Sequence, residues 1–333
     1  MKLLLPLLSL LMVPFLALAQ QKPQYSQYSI NNYLLNPAIA GIERYADVKL
    51  GSRSAMSGVE GEPTTFYLSA HAPLGYGAGG NRGRYSKNAP SFGGSDRGGR
   101  QSERFRAHHG LGLLVVHDRL GAFARTEASM AYAYHLALSG EVRLSGGVSG
   151  GLIQQRLRPE ELTFADPGDA AGSSWSMVKP NLSAGLWLYG SQFYFGASAT
   201  QLLGNSVSFD NSVEDHSLLY EHYFLTGAVK LNVTEEVSLV PSIMLMWLHP
   251  LPGSVDFNLR AVYQNRLWVG GSYRQNGNYA LLAGVTINHI FDLGYAYDRG
   301  VPANYGMGNG NHEVVLGMRV FNKAKVLCPS NLW

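Results

Sequence analysis

The sequence predicts an all-β protein, a transmembrane antiparallel β-barrel of about 14 strands with an N-terminal luminal or plug segment. Three observations carry this reading. From residue 44 to residue 321 apolar residues alternate with small or polar ones at a period of two, the signature of strands with unlike faces. Charged residues make up only 15% of the chain, well below the roughly 25% of soluble domains, while Gly (39) and Tyr (19) are abundant. The connections between alternating segments are short on one side and mostly longer on the other.

Residues 1–19 read as a secretory signal peptide: Lys2, an apolar run, and the small-residue exit Ala17-Leu18-Ala19 before Gln20. An exported chain with no later run of about 18 apolar residues is periplasmic, secreted or a barrel. Cys328 is the only cysteine, so packing or the bilayer, not an internal disulfide, stabilises the fold.

Residues 20–43 form the next unit, an N-terminal luminal or periplasmic segment containing QYSQYSINNYLLNPAIAG (24–41). It is too polar for a membrane helix and too irregular for a strand. Amides and hydroxyls at Tyr25, Gln27, Tyr28, Asn31 and Asn36 suit a strut hydrogen-bonded to a polar barrel wall. Pro37 and Gly41 would set the bend into the first strand. The competing expectation is a loose periplasmic leader.

Residues 44–321 are expected to form the barrel, with strands near 44–54, 63–73, 108–117, 123–138, 141–155, 178–189, 192–202, 218–231, 236–247, 255–264, 267–275, 279–288, 290–298 and 312–321. In one of them Tyr279, Leu281, Ala283, Val285 and Ile287 oppose Ala280, Leu282, Gly284, Thr286 and Asn288. In another Phe257, Leu259, Ala261 and Tyr263 oppose Asp256, Asn258, Arg260 and Gln264. A soluble sandwich would alternate too, but its outer face would carry Lys and Glu. Here the second face is mostly Gly, Ala, Ser, Asn and Thr, which suits a crowded or wet lumen. Gly146-Gly147 and Gly150-Gly151 fall inside a strand pattern, where glycine permits close approach of other atoms.

With the N-terminus in the periplasm, the inner connections Ser139-Gly140, Gly190-Ser191, 232–235, Asn265-Arg266 and Asn288-His289 are tight. The outer ones, 55–62, 118–122, 156–177, 203–217, 248–254, 276–278 and 299–311, include several long loops. Trp175, Phe209 and Tyr305 in those loops are candidate cargo contacts, or members of an interfacial aromatic girdle. The exception is an inner insert, 74–107, rich in Gly and Ser. Its seven basic residues (Arg82, Arg84, Lys87, Arg97, Arg100, Arg104, Arg106) face two acidic ones, a net of +5, which suits an acidic periplasmic partner. Residues 322–333 form a mildly basic tail.

Little in the sequence points to chemistry. His108, His109, His117 and His135 lie on or near two strands, but adjacent His108 and His109 face opposite ways and no Cys or acidic ligand is suitably spaced. No nucleophile motif accompanies His117-Asp118 or His312-Glu313. The acidic stretch from Arg158 to Asp169 lacks calcium-loop spacing, and a net charge of +3 does not suggest nucleic acid. The expectation is a non-enzymatic barrel without cofactor or metal.

Several blocks in order carry a family resemblance: Tyr25-Ser26-Gln27-Tyr28 with Asn31 and Asn36-Pro37-Ala38-Ile39-Ala40-Gly41; Arg53-Ser54, Gly61-Glu62-Pro63-Thr64-Thr65 and Leu68-Ser69; Gly112, Asp118, Gly121 and Ala131-Tyr132-Ala133-Tyr134-His135; Tyr295-Ala296-Tyr297-Asp298; Gly310-Asn311-His312-Glu313-Val314; and Cys328-Pro329. Together they resemble the PorP/SprF family of the type IX secretion system, with Met56 standing where that family usually has Trp. The resemblance implies a fourteen-stranded outer-membrane barrel that supports secretion or surface attachment of cargo bearing a C-terminal sorting domain. It also implies links to periplasmic ring, motor or peptidoglycan-binding components, and no catalytic residues. The alternative is similarity to outer-membrane fatty-acid channels, which also carry an early Asn-Pro-Ala and would require an apolar slot inside the barrel.

Overall fold

The computed structural model describes residues 28–55, 61–74, 107–139, 141–158, 175–204, 206–207, 217–218, 220–248, 251–275, 277–300 and 310–322. Two single-turn 3-10 helices, Asn32–Leu34 and Pro37–Ile39, precede the first strand. The strands then follow in order: β1 (Ala46–Ser54), β2 (Thr64–Leu74), β3 (His108–Leu120), β4 (Phe123–Ala137), β5 (Arg143–Leu157), β6 (Trp175–Tyr189), β7 (Phe193–Thr200), β8 (Ser206–Val207), β9 (Ser217–Leu218), β10 (His222–Val229), β11 (Leu231–Asn232), β12 (Val237–Leu248), β13 (Leu251–Tyr263), β14 (Leu267–Arg274), β15 (Asn278–Ile287), β16 (Phe291–Gly300) and β17 (Asn311–Val320).

Fourteen of these make one closed antiparallel sheet. Neighbours in sequence pair, β7 pairs with β10 and β10 with β12, and β1 closes on β17 from Ala46↔Val320 to Ser54↔His312. β8 and β9 form a separate two-stranded ladder, and β11 continues β10 along β12 beyond Lys230. Closure leaves no sheet edge, the condition a sheet must meet to sit in lipid.

The direction of burial separates a membrane barrel from a sandwich. On β15 the adjacent residues Leu281 and Leu282 are 64% and 4% exposed, so the apolar face looks outward and the other is enclosed. The same parity puts Phe257, Leu259, Leu293, Leu316 and Met130 on the exposed wall, while Asp256, Asn258, Arg260, Glu313 and Glu127 are buried within. A water-soluble sheet would bury the first set and expose the second.

Two of the tight connections are built by residues that tolerate left-handed backbone. Arg266 N–H bonds Tyr263 carbonyl (3.0 Å) across Gln264 and Asn265, whose φ values are 50° and 53°. Ile290 N–H bonds Ile287 carbonyl (3.1 Å) across Asn288 and His289 at 51° and 57°. Positive φ at both central residues is the hairpin turn whose twist matches its strands, and Asn accepts it at little cost.

Two expected connections are shorter than the sequence suggested. β3 runs to Leu120, leaving Gly121-Ala122 before β4, and β12 ends at Leu248 with β13 resuming at Leu251. β6 begins at Trp175, which pairs with Leu157, so Trp175 belongs to the wall rather than to an external loop. Its ring lies with Met177 against buried Ile153. Continued pairing along β5 outweighs the local turn signals there.

Candidate functional site: the N-terminal segment and the barrel interior

Residues 28–42 are buried, apart from half-buried Ile30, against the inner faces of the wall. Asn36 organises the segment locally. Its Oδ1 accepts from Ala38 N–H (2.9 Å), capping the turn that Pro37 begins. Its Nδ2 donates to the carbonyls of Leu186 (3.0 Å) and Ala197 (3.1 Å), which lie opposite each other on β6 and β7. One amide thus fixes the turn and ties it to two strands.

Other wall groups hold the segment along its length. Asn31 Nδ2 donates to Ser69 Oγ on β2 (2.9 Å), and Asn32 Nδ2 donates to the Tyr194 hydroxyl on β7 (3.4 Å). Asn258 Nδ2 on β13 donates to the Tyr28 hydroxyl. Hydroxyls of Ser198 and Ser145 donate to the carbonyls of Leu35 (2.7 Å) and Ala38. An irregular backbone can be enclosed only if its polar groups are satisfied in this way.

Three histidines hold Ala40-Gly41. Gly41 N–H donates to His71 Nδ1 (3.3 Å), so that nitrogen carries a lone pair. His135 Nε2 donates to Ala40 carbonyl (2.8 Å) and His108 Nε2 to Gly41 carbonyl (3.0 Å), since a carbonyl can only accept. His135 Nδ1 meets the Tyr189 hydroxyl at 2.9 Å, and the His108 and His135 rings stack at 4.5 Å with planes 2° apart. The segment is buried deeply enough that the Tyr28 and Tyr33 hydroxyls are pushed above their ordinary pKa. Burial is the main cause for both, and for Tyr28 the Asp256 carboxylate adds to it.

Glycines make room for this backbone. A Cβ on Gly147 of β5 would lie 2.5 Å from Ala38 Cα and 2.6 Å from Ala38 N. Gly185 of β6 faces the Asn36 side chain, Gly112 of β3 faces Tyr33, and Gly110 faces the Ala40 carbonyl. Gly41 itself has φ 72° and lies against Gly110, so its place in the bend has both a conformational and a steric reason.

The wall formed by β1 and β13–β17 is charged instead. Arg53 donates to Asp298 (2.7 and 3.4 Å) and to Glu313 (3.3 Å), and Asn311 also donates to Asp298. Arg274 reaches Asp256 through Nε (3.1 Å) and Nη2 (2.8 Å), Arg319 reaches Asp292 (2.8 Å), and Lys49 reaches Asp47 (2.9 Å). Enclosed charges persist only when paired like this. Two small spaces bordering these groups and the segment measure ≈20 and ≈30 Å³, room for a water or two.

Tyr28, Asn31, Asn36, Pro37 and Gly41 therefore meet the wall directly. Tyr25, Gln27, Phe209, Tyr305 and the arginines Arg82, Arg84, Arg97, Arg100, Arg104 and Arg106 lie outside the described residues. Sequence reasoning missed His71, Ser145, Ser198 and the Arg53–Asp298–Glu313 cluster. Strand parity, which marks each as inward-facing, was the signal available for them. Among the described residues no group of three or more His, Cys, Asp or Glu is arranged to hold a metal ion.

A closed fourteen-stranded barrel, apolar outside, whose described inner wall carries its own N-terminal segment and ion pairs, is a membrane protein of the outer-membrane type. The chain belongs to the family described as type IX secretion system membrane protein PorP/SprF, which it matches over residues 17–318. None of the curated protein sequences matches it significantly. Solved structures with a similar fold include the Pseudomonas putida toluene transporter TodX (11% identity, 86% of this chain and 92% of that one, TM-score 0.45). Others are the CymD monoaromatic hydrocarbon channel (10%, 87% and 91%, TM-score 0.47) and a Pseudomonas aeruginosa FadL homologue (10%, 85% and 91%, TM-score 0.44).

Proposed function

We propose that this barrel is a non-enzymatic component of type IX secretion that supports the secretion or surface anchoring of cargo through the cargo's C-terminal sorting domain. Family membership over nearly the whole mature chain is the observation that carries the reading. The seated segment and the ion pairs support it: among the described residues these polar contacts line the inner wall where a hydrophobic-solute channel requires an apolar slot. The external connections are the proposed cargo contacts, with Phe209 and Tyr305 the aromatic anchors in them and Trp175 at the base of one. The periplasmic insert 74–107, through its arginines, is the proposed contact for ring or peptidoglycan-binding components.

Purification from the native outer membrane in mild detergent, followed by mass spectrometry of what accompanies the barrel, tests the reading. Recovery of a large secreted protein by its C-terminal domain, or of periplasmic ring components, is expected. A barrel that arrives alone, carrying only fatty acid, would move the assignment to a transporter of hydrophobic solutes.

A further inference from the structure

The wall is thinnest in pairing between β6 and β7. Six residue pairs join them, Ala184–Tyr189 with Tyr194–Ala199, whereas every other pair of adjacent barrel strands is joined by at least seven among the described residues. From the lumen, this seam is held by the Asn36 amide on Leu186 and Ala197 and by the Ser198 hydroxyl on the Leu35 carbonyl.

On the outside of the same seam lies an apolar groove of ≈720 Å³. Its floor is made of Gly146, Ala184, Ala197 and Ala199, and its rim includes Val148, Leu186, Tyr223 and Trp247, all exposed. The two kinds of small residue have different reasons to be small. Gly147 and Gly185 face inward and are filled by the N-terminal segment. Gly146 faces outward, and a Cβ there would meet only the Leu186 Cδ2 at 3.6 Å, an ordinary contact. Among the described residues, no lumen-side atom crowds the Cβ position of Gly146.

We infer that the groove over the β6–β7 seam is a binding site for one acyl chain of a membrane lipid. The groove interrupts the apolar band that faces the bilayer, so its occupant is drawn from the hydrocarbon phase, where water is excluded. A flexible chain fits a shallow groove floored by Gly and Ala and bordered by branched and aromatic side chains, each of which adds dispersion contacts. Tyr223 and Trp247 are opposed across β10 and β12 at one end, and the Tyr223 hydroxyl donates to Glu221 there. Aromatic rings with a polar handle mark a membrane interface, so the lipid headgroup lies at the Glu221 end and the chain runs toward Gly146. This inference goes beyond the secretion reading and does not depend on which cargo is served.

The test uses the full-length barrel in vesicles doped with phosphatidylethanolamine bearing a photoreactive group on one acyl chain, with crosslinks mapped by mass spectrometry. Crosslinks are expected to concentrate on peptides containing Leu186, Ala197 and Tyr223, and to fall several-fold in Gly146→Leu/Ala197→Leu, which fills the groove. Gly271→Leu, an outward glycine on β14, serves as the control and should leave the pattern unchanged. Heat-modifiable migration on gels verifies that each variant folds. Crosslinks spread evenly around the barrel, or undiminished in the folded groove-filled variant, would overturn the proposal.

Discussion

Gly110 on β3 faces the Ala40 carbonyl so closely that no Cβ fits between them, and the neighbouring Gly41 lies against Gly110 in turn. Backbone meets backbone here, with no flexible side chain to give way. Gly110→Ala, or Gly147→Ala two strands further on, should unseat the segment at a cost of about 1–3 kcal/mol, the usual range for overpacking. The expected readout is a lower unfolding temperature with new protease cleavage between residues 28 and 45. A fully protected segment in both folded variants would contradict the seating.

Asn36 acts through both ends of its amide, which allows two substitutions to be ranked. Asn36→Ala removes the turn cap and both donations to the wall, a loss of about 1–3 kcal/mol. Asn36→Asp keeps the cap acceptor but turns an oxygen toward the Leu186 and Ala197 carbonyls. The aspartate variant should therefore be the less stable of the two in thermal unfolding at neutral pH. The reverse order would mean that the cap matters and the wall contacts do not.

Arg53 neutralises Asp298 and Glu313 together, and Glu313 is only 1% exposed. Arg53→Met should cost about 3–5 kcal/mol by leaving enclosed carboxylates without their cation. Adding Asp298→Asn and Glu313→Gln should restore much of that loss, since the buried charge goes with them. Chemical unfolding of the single and triple variants in the same detergent measures the difference.

Leu281 distinguishes a bilayer-facing wall from a water-facing one. Leu281→Arg at this exposed position should destabilise the membrane-inserted barrel by about 2–4 kcal/mol if it lies near the midplane. On a sheet in water the same change would be close to neutral. Folding into lipid vesicles, followed by gel mobility, reports the outcome.

Tyr28 and Tyr33 link the segment to alkaline pH. Both hydroxyls have raised values in the folded protein, so folding favours their neutral forms. Their contribution is fully present below the ordinary tyrosine value of about 10 and is lost as pH rises through the folded values. Stability should decline above about pH 10, and the decline should be shallower in Tyr28→Phe/Tyr33→Phe. An identical alkaline profile for the double variant would show that neither ionisation matters to the seat.

Much of the architecture was legible because a strand writes its two faces into alternate residues. The opposition of Tyr279, Leu281 and Val285 to Ala280, Leu282 and Gly284 was enough to assign outward and inward sides. Trp175 was misplaced because Gly172-Ser173-Ser174 and Ser176 around it resemble a loop, whereas pairing of Leu157 with Trp175 starts β6 there. Periodicity marks the parity of a residue but not its height on the barrel, which is set by register against the neighbouring strand.

That distinction separates what the sequence determined from what the tertiary structure decided. The sequence alone determined a strand-built membrane barrel with an apolar exterior, fourteen alternating segments and the family to which it belongs. Only the closed barrel decided that Arg53 meets Asp298 across 245 residues of chain, and that Asn36 meets the one seam where Leu186 and Ala197 face each other. Alternation is a local property of a chain in lipid, whereas which inward side chains meet depends on ladder registers and on the joining of β1 to β17. Those are properties of the whole sheet, and no local stretch of sequence contains them.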